Sequence, residues 1–227
     1  MNRMNVFFGM FFGLKDLFLH PDAFFSVVAR EKVNLVPPLI ILGTGILLTL
    51  LPLVIALGYY SLTASLNLAN FGWGVTIGNW LCYYVLTPLV TWGVMFLGAY
   101  GISRVLDGKG SLAATVQNIG YGMMPWVVSV FCWVIFSGII FVVAYMVPSV
   151  VGPLAEYANY GYGIVSNIGL IILFWEWYLW ILAIQHTHRF TFRKAAAVSI
   201  VPVMIVIWLT IPVQAWIESL RMIITGS

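Results

Sequence analysis

The chain has 227 residues, of which 62% are hydrophobic and only 7% charged, with a formal net charge of +3 and a mean hydropathy of +1.02. Globular domains carry about a quarter charged residues, so this chain holds more apolar surface than a soluble core of its length hides. Its ten Lys and Arg are spread too thinly to form the basic stripe that neutralises phosphates, so no nucleic-acid partner is expected.

The first stretch, MNVFFGMFFGL over Met4–Leu14, is too short to cross a bilayer. As a helix it shows a wide face of Phe and Met, with Asn5, Gly9, Gly13 and Asp16 down one narrow stripe, and is expected to lie in the cytoplasmic interface. Its Gly9 and Gly13 either let another helix approach or are ordinary residues of an interfacial helix. A removable signal peptide is not expected, because the stretch lacks a small-residue cleavage pattern. HPDAFFSVVAREK then reads as a second short helix. Pro21 suits its first position, Asp22 its positive end, and Arg30 and Lys32 its C-terminal end. Phe24, Val27 and Val28 would share its apolar face.

Five apolar runs come next, each close to the ~20 residues that span a hydrocarbon layer: Val36–Leu57, Thr76–Gly101, Met123–Val147, Ile164–Gln185 and Ala195–Ile217. Residues 1–35 thus form a cytoplasmic interfacial segment, 36–217 a five-span helical membrane domain and 218–227 a short outside tail. Arg3, Lys15, Arg30, Lys32, Arg104, Lys109, Arg189, Arg193 and Lys194 fall on the N-terminal segment and the second and fourth connections, against Arg221 alone on the other side. Lys and Arg collect on cytoplasmic flanks, so the N-terminus is expected inside and the C-terminus outside. Cys82 and Cys132 lie in apolar runs and are expected to be small, buried, reduced side chains without a disulfide, ahead of a metal or redox role. The fold class is therefore an all-α polytopic membrane protein.

The second connection reads SLAATVQNIGYGMMPWVV and the fourth TFRKAAAVSIVPVMIVI, a faint internal repeat that either records a duplicated hairpin or is chance likeness between alanine-rich segments. Ser111 and Thr191 would each cap a lead-in helix, with Pro125 and Pro202 bending the span after it.

The fourth run contains IILFWEWYLW, which places a carboxylate among tryptophans. Glu176 lies about nine residues, or roughly 13 Å at 1.5 Å per residue, inside the cytoplasmic end of its span. No Lys or Arg occurs in any span, so its partners must be neutral: Asn79, Tyr83, Tyr84, Tyr121 or a carbonyl freed by a proline. It is expected to face the bundle and keep its proton at neutral pH, as either a proton or substrate site or a structural clasp. The HTH triplet at His186–His188 puts its imidazoles on nearly opposite sides of a helix, a poor start for a metal site. No nucleophile constellation occurs, so an enzyme is not expected, and neither a cofactor nor a metal is called for.

GYGMMP, Gly120–Pro125, resembles the G-Y-x-x-x-P signature of the Yip family, five-span proteins that interact with Rab-type GTPases. DLFLHP, Asp16–Pro21, resembles the D-L-x-G-P element of that family, with one extra residue and no glycine. The resemblance covers roughly Lys15–Ile217 and marks Asp16, Leu17, Pro21, Gly120, Tyr121 and Pro125 as its motif residues. It implies five spans and a trafficking-related setting in eukaryotic relatives, in endoplasmic reticulum or Golgi membranes. The long hydrophilic GTPase-meeting region of those relatives is not seen here, which points to a short bacterial or archaeal member in the cell membrane.

Two functions remain. One is a membrane-organising protein that recruits membrane or cytoplasmic partners and contacts the lipid bilayer. The other is a transporter or channel for an ion, small molecule or lipid, using Glu176. If Glu176, Asn79, Asn167 and Gln214 converge on one cavity, transport gains; local pairing favours the organising role. Small-residue spacings in the spans leave a homo-oligomer open.

Overall fold

The computed structural model describes residues 15–63, 85–146 and 171–225, and every regular element among them is a helix. Met4–Leu14, Asn79, Cys82, Tyr83, Tyr84 and Asn167 lie outside the described residues, as do the starts of the predicted second and fourth spans. A helical turn at 15–19 leads into α1 (Pro21–Val28) and α2 (Val36–Thr63). Then come α3 (Thr87–Val105), α4 (Leu112–Gly122), α5 (Met124–Met146), α6 (171–188) and α7 (Phe192–Thr225).

α1 starts as its sequence implies: Pro21 stands in the first turn, where a missing N–H costs nothing, and Asp22 faces the partial positive charge there. It stops earlier than expected. Arg30 N donates to Val27 O at 2.9 Å and Glu31 N to Val28 O at 3.2 Å, so the chain tightens into a turn, and Arg30 and Lys32 come after the helix rather than end it. Its buried side chains are Phe24, Phe25 and Val28, whereas Val27, expected on the same face, is 56% exposed. α2 places Pro37 and Pro38 in its first turn, and Asn34 Oδ1 accepts from Val36 N just before it.

α4 and α5 are separated by a turn at Met123, and Pro125 sits in the first turn of α5, starting that helix rather than bending one. Thr191 caps no separate lead-in helix; α7 runs unbroken through Pro202.

Among the described residues, two segments are long and apolar enough to cross a bilayer, Leu112–Phe136 and Phe192–Leu209, and Val36–Leu51 is a shorter apolar helix. Only 33% and 28% of the two windows are buried within the protein, far less than the core helix of a soluble domain requires. Leu47, Ile139, Met146, Phe174, Met204 and Trp208 all point outward, as suits lipid contact. Cys132, expected to be buried, is a free thiol on the same outward-facing surface of α5, because an all-apolar span buries only one side.

The described helices divide into two compact units. The first contains 15–42, 90–124 and 175–207, and the second the remaining portions of α2, α3, α5, α6 and α7. In the second unit the Trp126 indole of α5 lies directly on Gly45 of α2, where a Cβ would find no room.

Within the first unit two hairpins share one plan. α3 ends with Asp107 at φ 62° and α6 with Arg189 at φ 58°. In each case the next N–H reaches back five residues: Gly108 N to Ser103 O at 2.7 Å, and Phe190 N to Gln185 O at 3.0 Å. This is the Schellman stop, here with a side-chain-bearing residue where glycine is usual. A hydroxyl then caps the next helix, Ser111 Oγ accepting from Ala114 N at 3.2 Å and Thr191 Oγ1 from Lys194 N at 3.4 Å. The hairpins also pack reciprocally. Pro202 of α7 lies over Gly98 of α3, and Trp180 of α6 over Gly122 of α4. Counted back from the left-handed residues, Gly98 and Trp180 hold the same place; counted forward from the capping hydroxyls, so do Gly122 and Pro202. Two copies of one hairpin related by a two-fold axis produce such exchanged contacts.

Candidate functional site

The first unit sets α1, which follows the first motif stretch, against the second motif stretch. Leu17 is fully buried, and Asp16 holds the turn through its carbonyl, which accepts from His20 N at 2.8 Å, while its side chain is exposed. Three residues beyond Pro21, the Phe24 ring meets the Tyr121 ring edge-on, with centroids 5.1 Å apart at 83°. Such aromatic pairs add about 0.5–1.5 kcal/mol beyond the area they bury. Gly120, one residue earlier, lies against Pro38 of α2 and Trp92 of α3; a Cβ there would stand 2.5 Å from Pro38 Cβ. The Trp92 indole N–H donates to Val116 O at 3.3 Å, which fixes α3 to α4 beside that contact. Thus Phe24, Gly120 and Tyr121 line one packed joint between α1, α2, α3 and α4. Pro125 is buried within the second unit.

A lattice of polar bonds surrounds the joint. Asn118 Nδ2 donates to Thr187 Oγ1 at 2.6 Å, Asn34 N to Gln117 Oε1 at 2.5 Å, and Lys109 N to His188 O at 3.3 Å. Sequence reasoning passed over Thr115, Gln117 and Asn118, because an Asn or Gln near a span end reads as headgroup-facing. Their i, i+2 and i+3 spacing on a capped helix was the available signal that two faces of α4 meet other elements.

The two histidines take separate partners. His186 Nε2 donates to Asp22 Oδ1 at 2.8 Å, tying α6 to α1. His188 is 1% exposed and sits 3.0 Å from Thr115 Oγ1 through Nε2. The Thr115 hydroxyl spends its own proton on Ser111 O at 2.9 Å, so it accepts from His188, and the neutral ring carries its proton on Nε2. Nδ1 is buried without a hydrogen-bond partner among the described residues. Burial, and after it the Arg104 guanidinium, lowers the His188 pKa to about 4. Beside it, Arg189 holds a left-handed backbone that costs a non-glycine residue roughly 1–2 kcal/mol.

Glu176 is 7% exposed, in the body of α6. Tyr121, one of its expected partners, packs on Phe24 instead. Asn79 lies outside the described residues, as does the side chain of Gln214.

A family model, the Yip1 domain, matches residues 15–211. No curated protein and no solved structure matches the chain. The family match takes in both motif stretches, the joint where Phe24 meets Tyr121, and every described helix as far as the body of α7, and with it the chain belongs to the Yip1 domain family of membrane proteins.

Proposed function

We propose that this protein crosses the membrane five times, with the N-terminus on the cytoplasmic side and the C-terminus outside, and that it organises the bilayer or recruits partners through the surface around α1. The reading rests on one observation above the rest. Polar contacts in the first unit pair off locally, Asn118 with Thr187, Thr115 with His188 and the Gln117 side chain with the Asn34 backbone N–H, while Ser103 Oγ and Gln185 Oε1 are buried without a partner among the described residues. The motif residues meanwhile build a packed joint that positions α1. Basic residues on the N-terminal segment and the second and fourth connections support the orientation. Labelling of single introduced cysteines tests it: positions 3, 109 and 193 should react from the same side. A reaction of position 109 from the opposite side would overturn the topology. For the recruiting role, cross-linking in native membranes should capture neighbours that are lost when Phe24→Ala and Tyr121→Ala disrupt the joint.

A second reading is favoured by Glu176, a buried acid within an apolar helix. In that reading the acid carries protons for a transporter. Glu176→Gln keeps shape and hydrogen-bonding capacity while removing the titratable group. Under the organising reading, wild type and Glu176→Gln reconstituted in proteoliposomes should both show proton leak equal to that of empty vesicles. Flux through wild type that vanishes in Glu176→Gln would establish transport instead.

A further inference from the structure

We infer that a cavity of about 620 Å3 between α1 and the end of α6 binds the phosphate of an anionic phospholipid headgroup. Ser26 and Arg30 line it from the α1 side, and Gln185, His186, Arg189 and Phe190 from the other. Two arginines thus line one space from segments far apart in sequence. Neither is in an ion pair among the described residues; the pair found there joins His186 to Asp22. Guanidinium forks match a phosphate by paired N–H donors, and two of them place two full positive charges at the cavity. The end of α6 opposes an anion with about half a charge, and its Gln185 carbonyl is already bonded to Phe190 N, so the guanidiniums dominate. His186 Nε2 is committed to Asp22, leaving Nδ1 as its free ring nitrogen.

The volume is that of a small-molecule site and far exceeds a lone phosphate ion. Its Phe190 and Ala29 walls suit a ligand with an apolar part beside its phosphate. Arg189 adds a further sign. It holds a left-handed position at a helix end where glycine is the usual occupant, so its side chain is kept there against backbone preference. That the cavity lies on the cytoplasmic leaflet rests on the orientation proposed above; that it binds phosphate does not.

The test is native mass spectrometry of the full chain released from detergent in the presence of phosphatidylglycerol or phosphatidylcholine. Phosphatidylglycerol should be retained, and Arg30→Gln and Arg189→Gly should each weaken it about tenfold, the scale of one lost charge-assisted contact. Arg189→Gly should at the same time raise thermal stability, which separates lost binding from lost folding. Arg193→Gln removes an exposed cation outside the cavity and should leave binding within about twofold. Equal loss in Arg193→Gln, or none in Arg30→Gln and Arg189→Gly, would overturn the site. Displacement of the lipid by millimolar inorganic phosphate would overturn the lipid as its source. Because the measurement is made in detergent, an inverted topology would leave its outcome unchanged.

Discussion

Gly120→Ala should lower the thermal midpoint of the detergent-purified protein by several degrees, although it adds one methyl group to a helix. In an open helix position the same change is favourable, by up to about 1 kcal/mol, because alanine restricts the unfolded chain and glycine does not. At Gly120 the new Cβ would stand 2.5 Å from Pro38 Cβ and 3.4 Å from Trp92 Nε1. Pro38 is a rigid ring in the first turn of α2, and the Trp92 N–H is held by Val116 O, so neither neighbour gives way cheaply. Overpacking of this kind costs about 1–3 kcal/mol, and each kcal/mol moves the midpoint of a chain this size by about 2–4 °C. Gly93 and Gly101 provide the contrast, since nothing lies within 4 Å of a Cβ at either. Gly93→Ala and Gly101→Ala should therefore be neutral or stabilising. If all three variants fall alike, close packing at the joint is not what the motif glycine serves. Gly98→Ala, which would come within 2.7 Å of the Pro202 ring, belongs with Gly120→Ala.

The parts of this architecture that sequence made legible are those set by local chemistry. A proline next to an acid starts α1, a pair of prolines starts α2, and Ser111 and Thr191 cap the helices after them. Each depends on residues within one turn of one another. The motif pair was legible as a pair of stretches, but not as a contact, because Phe24 and Tyr121 meet only once α1 folds against α4. Val27 lies off the buried face expected to include it, and Phe25 lies on it, for the same reason: a largely apolar run fixes no face by itself, and the neighbours choose. The left-handed stops at Asp107 and Arg189 escaped notice because helix ends are read from glycine, and neither position has one.

Those stops also give the faint repeat physical content. Alanine-rich likeness between two connections is poor evidence of common origin. Matching stop, cap and exchanged glycine contacts are stronger, because each is a geometric commitment that composition alone does not impose. The one inequality lies between stop and cap, where the first hairpin inserts Gly108, Lys109 and Gly110 and the second has Phe190 alone. The two extra residues let the first loop lie against the end of α6, where Gly108 and Gly110 leave room for His188 and Thr187. The asymmetry of the loops thus creates the setting of His188.

That setting makes stability fall as the pH drops from about 6.5 towards 4. In the folded protein His188 donates from Nε2 to Thr115, while Nδ1 is buried with no acceptor among the described residues and Arg104 stands nearby, so a second proton is unwelcome. The unfolded chain takes up that proton near the ordinary histidine value of 6.5, the folded chain only near 4. Above about 6.5 both states are neutral and the full stability is present. Between the two values the unfolded state binds more protons, so each pH unit costs about 1.4 kcal/mol, and the loss between pH 7 and 5 should come to about 2 kcal/mol. Thermal unfolding in detergent across that range reads it directly. His188→Gln keeps an N–H for Thr115 and removes the titration, so its midpoint should hardly move between pH 7 and 5. His186→Gln breaks the bond to the exposed Asp22 and should leave the fall in place. A fall that persists in His188→Gln would assign the proton uptake to another group and remove the tautomer argument with it.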